Sequence, residues 1–214
     1  MKHKTVRTEV SPESLRIARE IFTKNEDRLE AYIDLLLLWN DKINLVSRTV
    51  SRETVREHTI HSLIPMALNM LDDHSKWIDA GSGGGLPGIP LAICKSNSEW
   101  ILNDNVKKKM RAVGDIIQEL ELKNVSVAAK SISLVDIKKG TGIVTKHAFK
   151  IDDLLRLLNK KPWGKIIMWK GADGAEKEII QYGKNLKAEI FEFNFGSNEP
   201  FYEGKAIVVL ENFV

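Results

Sequence analysis

The residues of this chain best suited to chemistry fall in IDAGSGGGLPGIPLAI, residues 78–93. An apolar run ends in the acid Asp79. Gly81, Ser82, Gly83 and Gly85 follow, and Pro87, Gly88 and Pro90 then open a helix. Residues without a Cβ at the end of a strand let a ligand lie against bare main chain, where its polar atoms meet backbone N–H groups. A second apolar run, in WILNDNVKKK, ends in Asp104, an acid placed to accept both hydroxyls of an adenosine ribose. The two stretches together ask for a nucleoside at the carboxyl ends of two strands. Asp79 is expected to reach the amino or carboxylate end of that ligand through water, with capping of the next helix as the alternative.

Glycine spacing narrows the choice of nucleoside. Dinucleotide loops read G-x-G-x-x-G, whereas here the third-glycine position holds Leu86 and the glycine falls one place earlier, at Gly85. G-x-G-x-G is the S-adenosylmethionine pattern of Rossmann-like methyltransferases, so that cofactor is expected and a nicotinamide oxidoreductase is disfavoured. No Ser/His/Asp or Cys/His array accompanies the loop. Methyl transfer to a proton-free lone pair needs none, because catalysis then reduces to alignment and exclusion of water. A fixed cation gripping the acceptor is useful, and Lys146, His147 and Lys170 stand at strand ends for that role. His147 can donate a hydrogen bond when neutral or act as a cation at lower pH. Arg48 is the preferred RNA contact among Lys42, Arg48, Arg52 and Arg56, with Lys146 and Lys170 beside it, whereas the run Lys107–Lys109 reads equally well as a solvated helix face. His58 and His61 are three apart but have no third ligand at a familiar spacing. They read as a structural pair, and no metal is expected.

These residues need a scaffold. The chain has 214 residues, 43% of them hydrophobic, and a formal net charge of +3, which permits a nucleic-acid partner without demanding one. The single cysteine, Cys94, suits a reducing compartment, and the longest apolar run, Leu35 to Trp39, is too short to cross a bilayer. The N-terminus lacks the apolar core of a secretory signal, so a cytoplasmic monomer is expected. Residues 1–74 read as a helical extension, with a cap at Ser11-Pro12-Glu13, an apolar face through Leu29, Ile33, Leu36 and Leu37, and a further helix over 51–71. From Lys76 short apolar runs alternate with helical stretches at 88–95, 106–121, 150–159 and 173–184. KWIDA, EWILND, NVSVAA, GIVTK and GKIIMWK are the predicted strands, and LKAEIFEFNF and GKAIVVLENF should pair as an antiparallel hairpin. The expected fold is α/β: residues 75–214 as a Rossmann-like class I methyltransferase domain with a mostly parallel seven-stranded sheet.

LLLLWNDKINLVS, EHTIHSL, DAGSGGGLPGIPLAI, LNDNVKKK and MWKG occur in this order. From about residue 35 to about 180 the chain resembles the glucose-inhibited division protein B family, the bacterial 16S ribosomal RNA guanine-N7 methyltransferases. That resemblance implies S-adenosylmethionine as methyl donor and one guanine of 16S RNA, free or in the 30S subunit, as acceptor. By position it puts Gly81 and Leu86 beside the cofactor, Asp104 at its ribose, and Ile132 and Ser133 at its adenine. Three positions depart from the family pattern. Ser133 stands where an acid is usual, Lys146-His147-Ala148 replaces Ser-Arg-Ala, and Gly142 also replaces an acid. A methyltransferase with another acceptor, and a cofactor- or RNA-binding relative with little transfer activity, are the alternative readings.

Overall fold

The computed structural model describes residues 5–71, 75–159, 161–182 and 186–211. Residue 74 at the expected boundary, residues 183 and 184 of the expected helix 173–184, and the last two residues of GKAIVVLENF lie outside them. In chain order the elements are β1 (Thr5–Val10), α1 (Pro12–Lys24), α2 (Glu26–Asn40), α3 (Arg52–Ala67), β2 (Lys76–Ala80), α4 (Gly88–Cys94), β3 (Glu99–Asn103), α5 (Lys107–Glu119) and β4 (Val125–Ala128), followed by β5 (Thr141–Lys146), α6 (Ile151–Leu157), β6 (Trp163–Gly171), α7 (Ala172–Tyr182), β7 (Lys187–Phe193) and β8 (Lys205–Glu211).

All strands join one sheet in the order β1-β7-β8-β6-β5-β2-β3-β4. Only β8 runs against its neighbours, inserted between β6 and β7 by the C-terminal hairpin, as the sequence predicts. The sheet has eight strands rather than seven. The extra strand is β1, parallel to β7, inside a stretch expected to be helical throughout. Its sequence TVRTEV alternates β-branched residues with charged and polar ones, and pairing with it covers an edge that β7 would otherwise leave open. Helix α3 begins where Ser51 accepts from the Thr54 amide. It ends at Ala67, four residues short of the expected 71, just after Pro65, and Asn69 takes a positive φ of 53° beyond it.

Side chains alternate across the sheet. Trp77, Trp100, Ile167, Trp169 and Ile207 face α1–α5, whereas Ile78, Ile143, Ile166, Met168 and Val208 face α6 and α7. The chain runs outward from β2 through β3 to β4, then crosses back to β5 on the other side of β2. The β2–β5 boundary is therefore the topological switch point, where open α/β sheets bind ligands.

Candidate active site

A crevice of about 520 Å³ opens at the carboxyl ends of β2, β3 and β5, inside the usual range for ligand clefts of about 300–1,000 Å³. Of the expected residues, Gly81, Gly83, Asp104, Ile132, Lys146 and His147 line it. Gly81 has φ +72°, and a Cβ there would lie 2.4 Å from the Ala148 Cβ, so only glycine lets the loop after β2 pass the loop after β5. The Asn103 carbonyl pins this turn by accepting from the amides of Gly81 (2.8 Å) and Ser82 (2.9 Å). Asp104 accepts from the Val106 amide (2.9 Å) and the Gly83 amide (3.1 Å), one bond to each carboxylate oxygen. Each oxygen keeps a further lone pair for hydroxyls in the crevice. A glycine-floored cradle bordered by this carboxylate fits a nucleoside.

Other expected residues lie outside that lining. Asp79 is fully buried and accepts from the Gly88 amide (2.9 Å) at the start of α4. Burial raises its carboxyl to about 7, with the Gly88 hydrogen bond opposing. Ser82 is buried too. Gly85 makes room for Ile89, whose Cδ1 would be 2.5 Å from an added Cβ, and Leu86 packs against the core. The Ser133 hydroxyl pairs with that of Ser131 (2.8 Å), and Ser131 lines the crevice instead. At Gly142 a Cβ would meet the Trp77 ring at 2.5 Å, so the side chain missing there is replaced by packed indole.

Several lining residues had no motif to announce them. Asn103 donates to the carbonyls of Ala128 (2.8 Å) and Lys130 (2.7 Å), holding the loop that carries Ser131 and Ile132. Leu45 comes from the loop after α2 and forms the roof. Asn40 shapes that loop by accepting from the amides of Leu45 and Val46, both at 2.9 Å, and donating to the Ser47 carbonyl at 3.1 Å. The Tyr32 hydroxyl donates to the Gly84 carbonyl (3.1 Å), and a Cβ on Gly84 would strike Leu36 at 2.7 Å. The sequence signals for this roof are the glycines facing it and the stretch LLLLWNDKINLVS, which holds Asn40 and Leu45.

On the β5 and β6 side, Lys146 Nζ turns toward α3 and donates to the His58 carbonyl (2.8 Å) and the Ser62 hydroxyl (3.4 Å). Desolvation, with Lys205 adding repulsion, lowers its ammonium to about 7. His147, at φ 56°, is exposed at the crevice; desolvation and nearby lysines lower it to about 4, leaving it neutral at physiological pH. Lys170 is held by both Glu178 oxygens (2.6 and 2.8 Å) and the Phe149 carbonyl (3.0 Å), so its charge is neutralised in place. Arg48 is exposed, bonded to Asn44 (2.9 Å). His61 is wholly buried among Trp169, Phe193, Phe201 and Tyr202, and the Trp169 indole donates to its carbonyl. It fastens α3 to the sheet, which is the structural role the sequence suggests for the histidine pair.

Comparison with known proteins matches this architecture. The model of the GidB family, rRNA small subunit methyltransferase G, aligns with residues 25–196. A ribosomal RNA small subunit methyltransferase G from Chlorobium phaeobacteroides is 34% identical over 192 residues, covering 86% of each chain. One from Flavobacterium psychrophilum is 32% identical, covering 79% of this chain and 83% of its own. Among solved structures, a SAM-dependent O-methyltransferase from Thermotoga maritima superposes with a TM-score of 0.54 at 11% identity, over 84% of this chain and 72% of that one, a likeness of fold. The crevice at the switch point, the reversed β8 and the family match together establish that this chain belongs to the rRNA small subunit methyltransferase G (GidB) family.

Proposed function

We propose that this chain transfers the methyl group of S-adenosylmethionine to N7 of a guanine in 16S ribosomal RNA. Membership of the family makes it an S-adenosylmethionine-dependent methyltransferase of small-subunit rRNA. The choice of guanine N7 is ours. It is supported by the make-up of the crevice, where Lys146 and His147 are the titratable groups on the acceptor side and no carboxylate is placed there to remove a proton. N7 carries an in-plane lone pair and no proton, so that inventory suffices.

When bound, S-adenosylmethionine supplies a methyl group already activated on sulfonium. The residues then bind and orient. Asp104 holds the ribose hydroxyls, Ile132 and Ser131 border the adenine, and the glycine loop presents bare backbone to the remainder. Leu45 and Phe149 exclude water. Neutral His147, which lines the crevice, donates a hydrogen bond to the guanine O6 in this reading. Orientation of this kind is worth roughly 7–11 kcal/mol of barrier. No helix among the described residues is long and apolar enough to cross a membrane. The reading extends to a monomer acting in the cytoplasm.

The observation that carries the proposal is the Asp104-bordered glycine cradle at the switch point. Its test is tritiated-methyl transfer to 30S particles and to naked 16S RNA, followed by mapping of the base. Label at a guanine N7 is expected. Label at any other atom overturns the choice of acceptor, and wild-type protein that labels neither substrate overturns the assigned activity.

A further inference from the structure

Some of the cations in this protein are held by a carboxylate. Arg7, Arg19, Arg52, Arg56, Lys170 and Lys187 all make ion pairs. Lys205 has none among the described residues. It begins β8, opposite Gly171 at the carboxyl end of β6, and so shares a sheet edge with Lys146 at the end of β5. Two strand spacings and a two-residue offset in register separate their backbones, about 12 Å. Lys205 is half-buried, and its ammonium lies 3.9 Å from the centroid of the Phe201 ring.

Phe201 stands edge-on to His58 (5.0 Å) and to His61 (5.8 Å), and His61 lies 6.5 Å, ring to ring, from His147 at the crevice. His58, His61, Lys146 and His147 all have their proton affinity lowered by the charge of Lys205, so that charge reaches each of them through desolvated surroundings. Both ring nitrogens of fully buried His61 lack a hydrogen-bond partner. At the edge from β5 to β8 the charge of Lys170 is taken up by Glu178, which leaves Lys146 and Lys205 as the cations beside the cofactor crevice for an anion entering with the acceptor.

We propose that Lys205 binds a phosphate of the acceptor RNA strand, leaving the Phe201 ring to do so, and thereby sets the target nucleotide against the crevice. The assignment rests on RNA being the acceptor. A lysine gripping a phosphodiester is a point-charge contact that releases one counterion from the RNA.

The test compares wild type, Lys205→Ala, Lys205→Arg and, as a control far from the crevice, Lys187→Ala. Filter binding of 16S RNA is measured across potassium chloride concentrations, methyl transfer to 30S particles across substrate concentrations, and cofactor affinity by calorimetry. For Lys205→Ala we expect RNA affinity to fall about tenfold, with the slope of log K against log salt shallower by about 1. KM for 30S should rise with kcat and cofactor affinity near wild type, and Lys205→Arg should restore binding. An unchanged salt slope in Lys205→Ala, or the same change in Lys187→Ala, overturns the assignment, as does a loss confined to cofactor affinity. If wild type binds RNA through Lys205 but transfers no methyl, the phosphate contact stands and the assigned activity falls.

Discussion

Two carboxylates that end neighbouring strands meet opposite surroundings, and the difference sets their chemistry. Asp104 reaches the crevice, bonded through both oxygens to backbone amides. Asp79, at the matching end of β2, is sealed under the glycine loop with its carboxyl raised from 3.8 to about 7. Between those two pH values the folded chain holds a proton at this site that the unfolded chain has lost. Its contribution to stability is therefore full near pH 4 and drains away as pH rises through 7. Asp79→Asn keeps an oxygen for the Gly88 amide and cannot ionise. Its stability should gain on wild type steadily from pH 4 to 7 and hold that gain above, by on the order of 2–4 kcal/mol, read as a growing difference in melting temperature. Melts at pH 5 and pH 8 that show equal differences would exclude this account. Asp104 was legible in the sequence because an acid ending an apolar run before a new helix has one obvious direction to face. For Asp79 the sequence offers a ligand role and capping of the next helix, and the bond from the Gly88 amide at the start of α4 is the second of these. The partner of Lys170 is not legible from its strand end, because Glu178 lies more than a helical turn into α7.

At the scale of elements, each of the seven strands read from short apolar runs is present, and the glycine loop falls where the sequence puts it. The roof was not legible. It depends on Asn40, which an amphipathic reading of α2 treats as an ordinary polar end, yet which makes three hydrogen bonds to the following loop while only 7% exposed. Those bonds press Leu45 onto the glycine turn, where a Cβ on Gly84 would stand 3.2 Å from it. Asn40→Ala leaves one buried and one half-buried amide unsatisfied, so destabilisation of about 2–3 kcal/mol is expected. Because the same loop covers the crevice, cofactor affinity should weaken severalfold as well. Denaturant unfolding and calorimetry read the two effects separately, and a variant that loses stability but binds the cofactor as wild type does would show that the roof takes no part in binding. The missed strand β1 is the reverse case. Its alternation was visible, but one edge strand six residues long before a helix has no local feature that forces it into a sheet.

Across the whole molecule, we propose that residues 1–74 and 75–214 divide by role and not by folding. The second segment supplies the sheet, the glycine cradle and the cations beside it. The first supplies the roof, the strand that covers β7, and one entire wall of core. Leu15, Phe22, Leu29, Tyr32, Ile33, Leu36, Ile60 and Leu63, all at most 2% exposed, share a single core with Trp77, Trp100 and Trp169. Burial of side chains this size is worth about 1.5–3 kcal/mol each. The eight of them together, about 12–24 kcal/mol, therefore match or exceed the net stability of a typical domain, about 5–15 kcal/mol. Residues 75–214 produced alone should keep α4 and α5 on that sheet face but leave the part covered by α1–α3 wet, with Trp169 losing its contacts to His61. The fragment should show no cooperative thermal transition, red-shifted tryptophan emission and no measurable affinity for S-adenosylmethionine. Adding residues 1–74 as a separate chain should restore part of all three, because the roof and the core wall do not require a covalent link to dock. A fragment that melts cooperatively and binds the cofactor unaided would mean that the α/β part is self-sufficient, with the helices an addition serving the RNA.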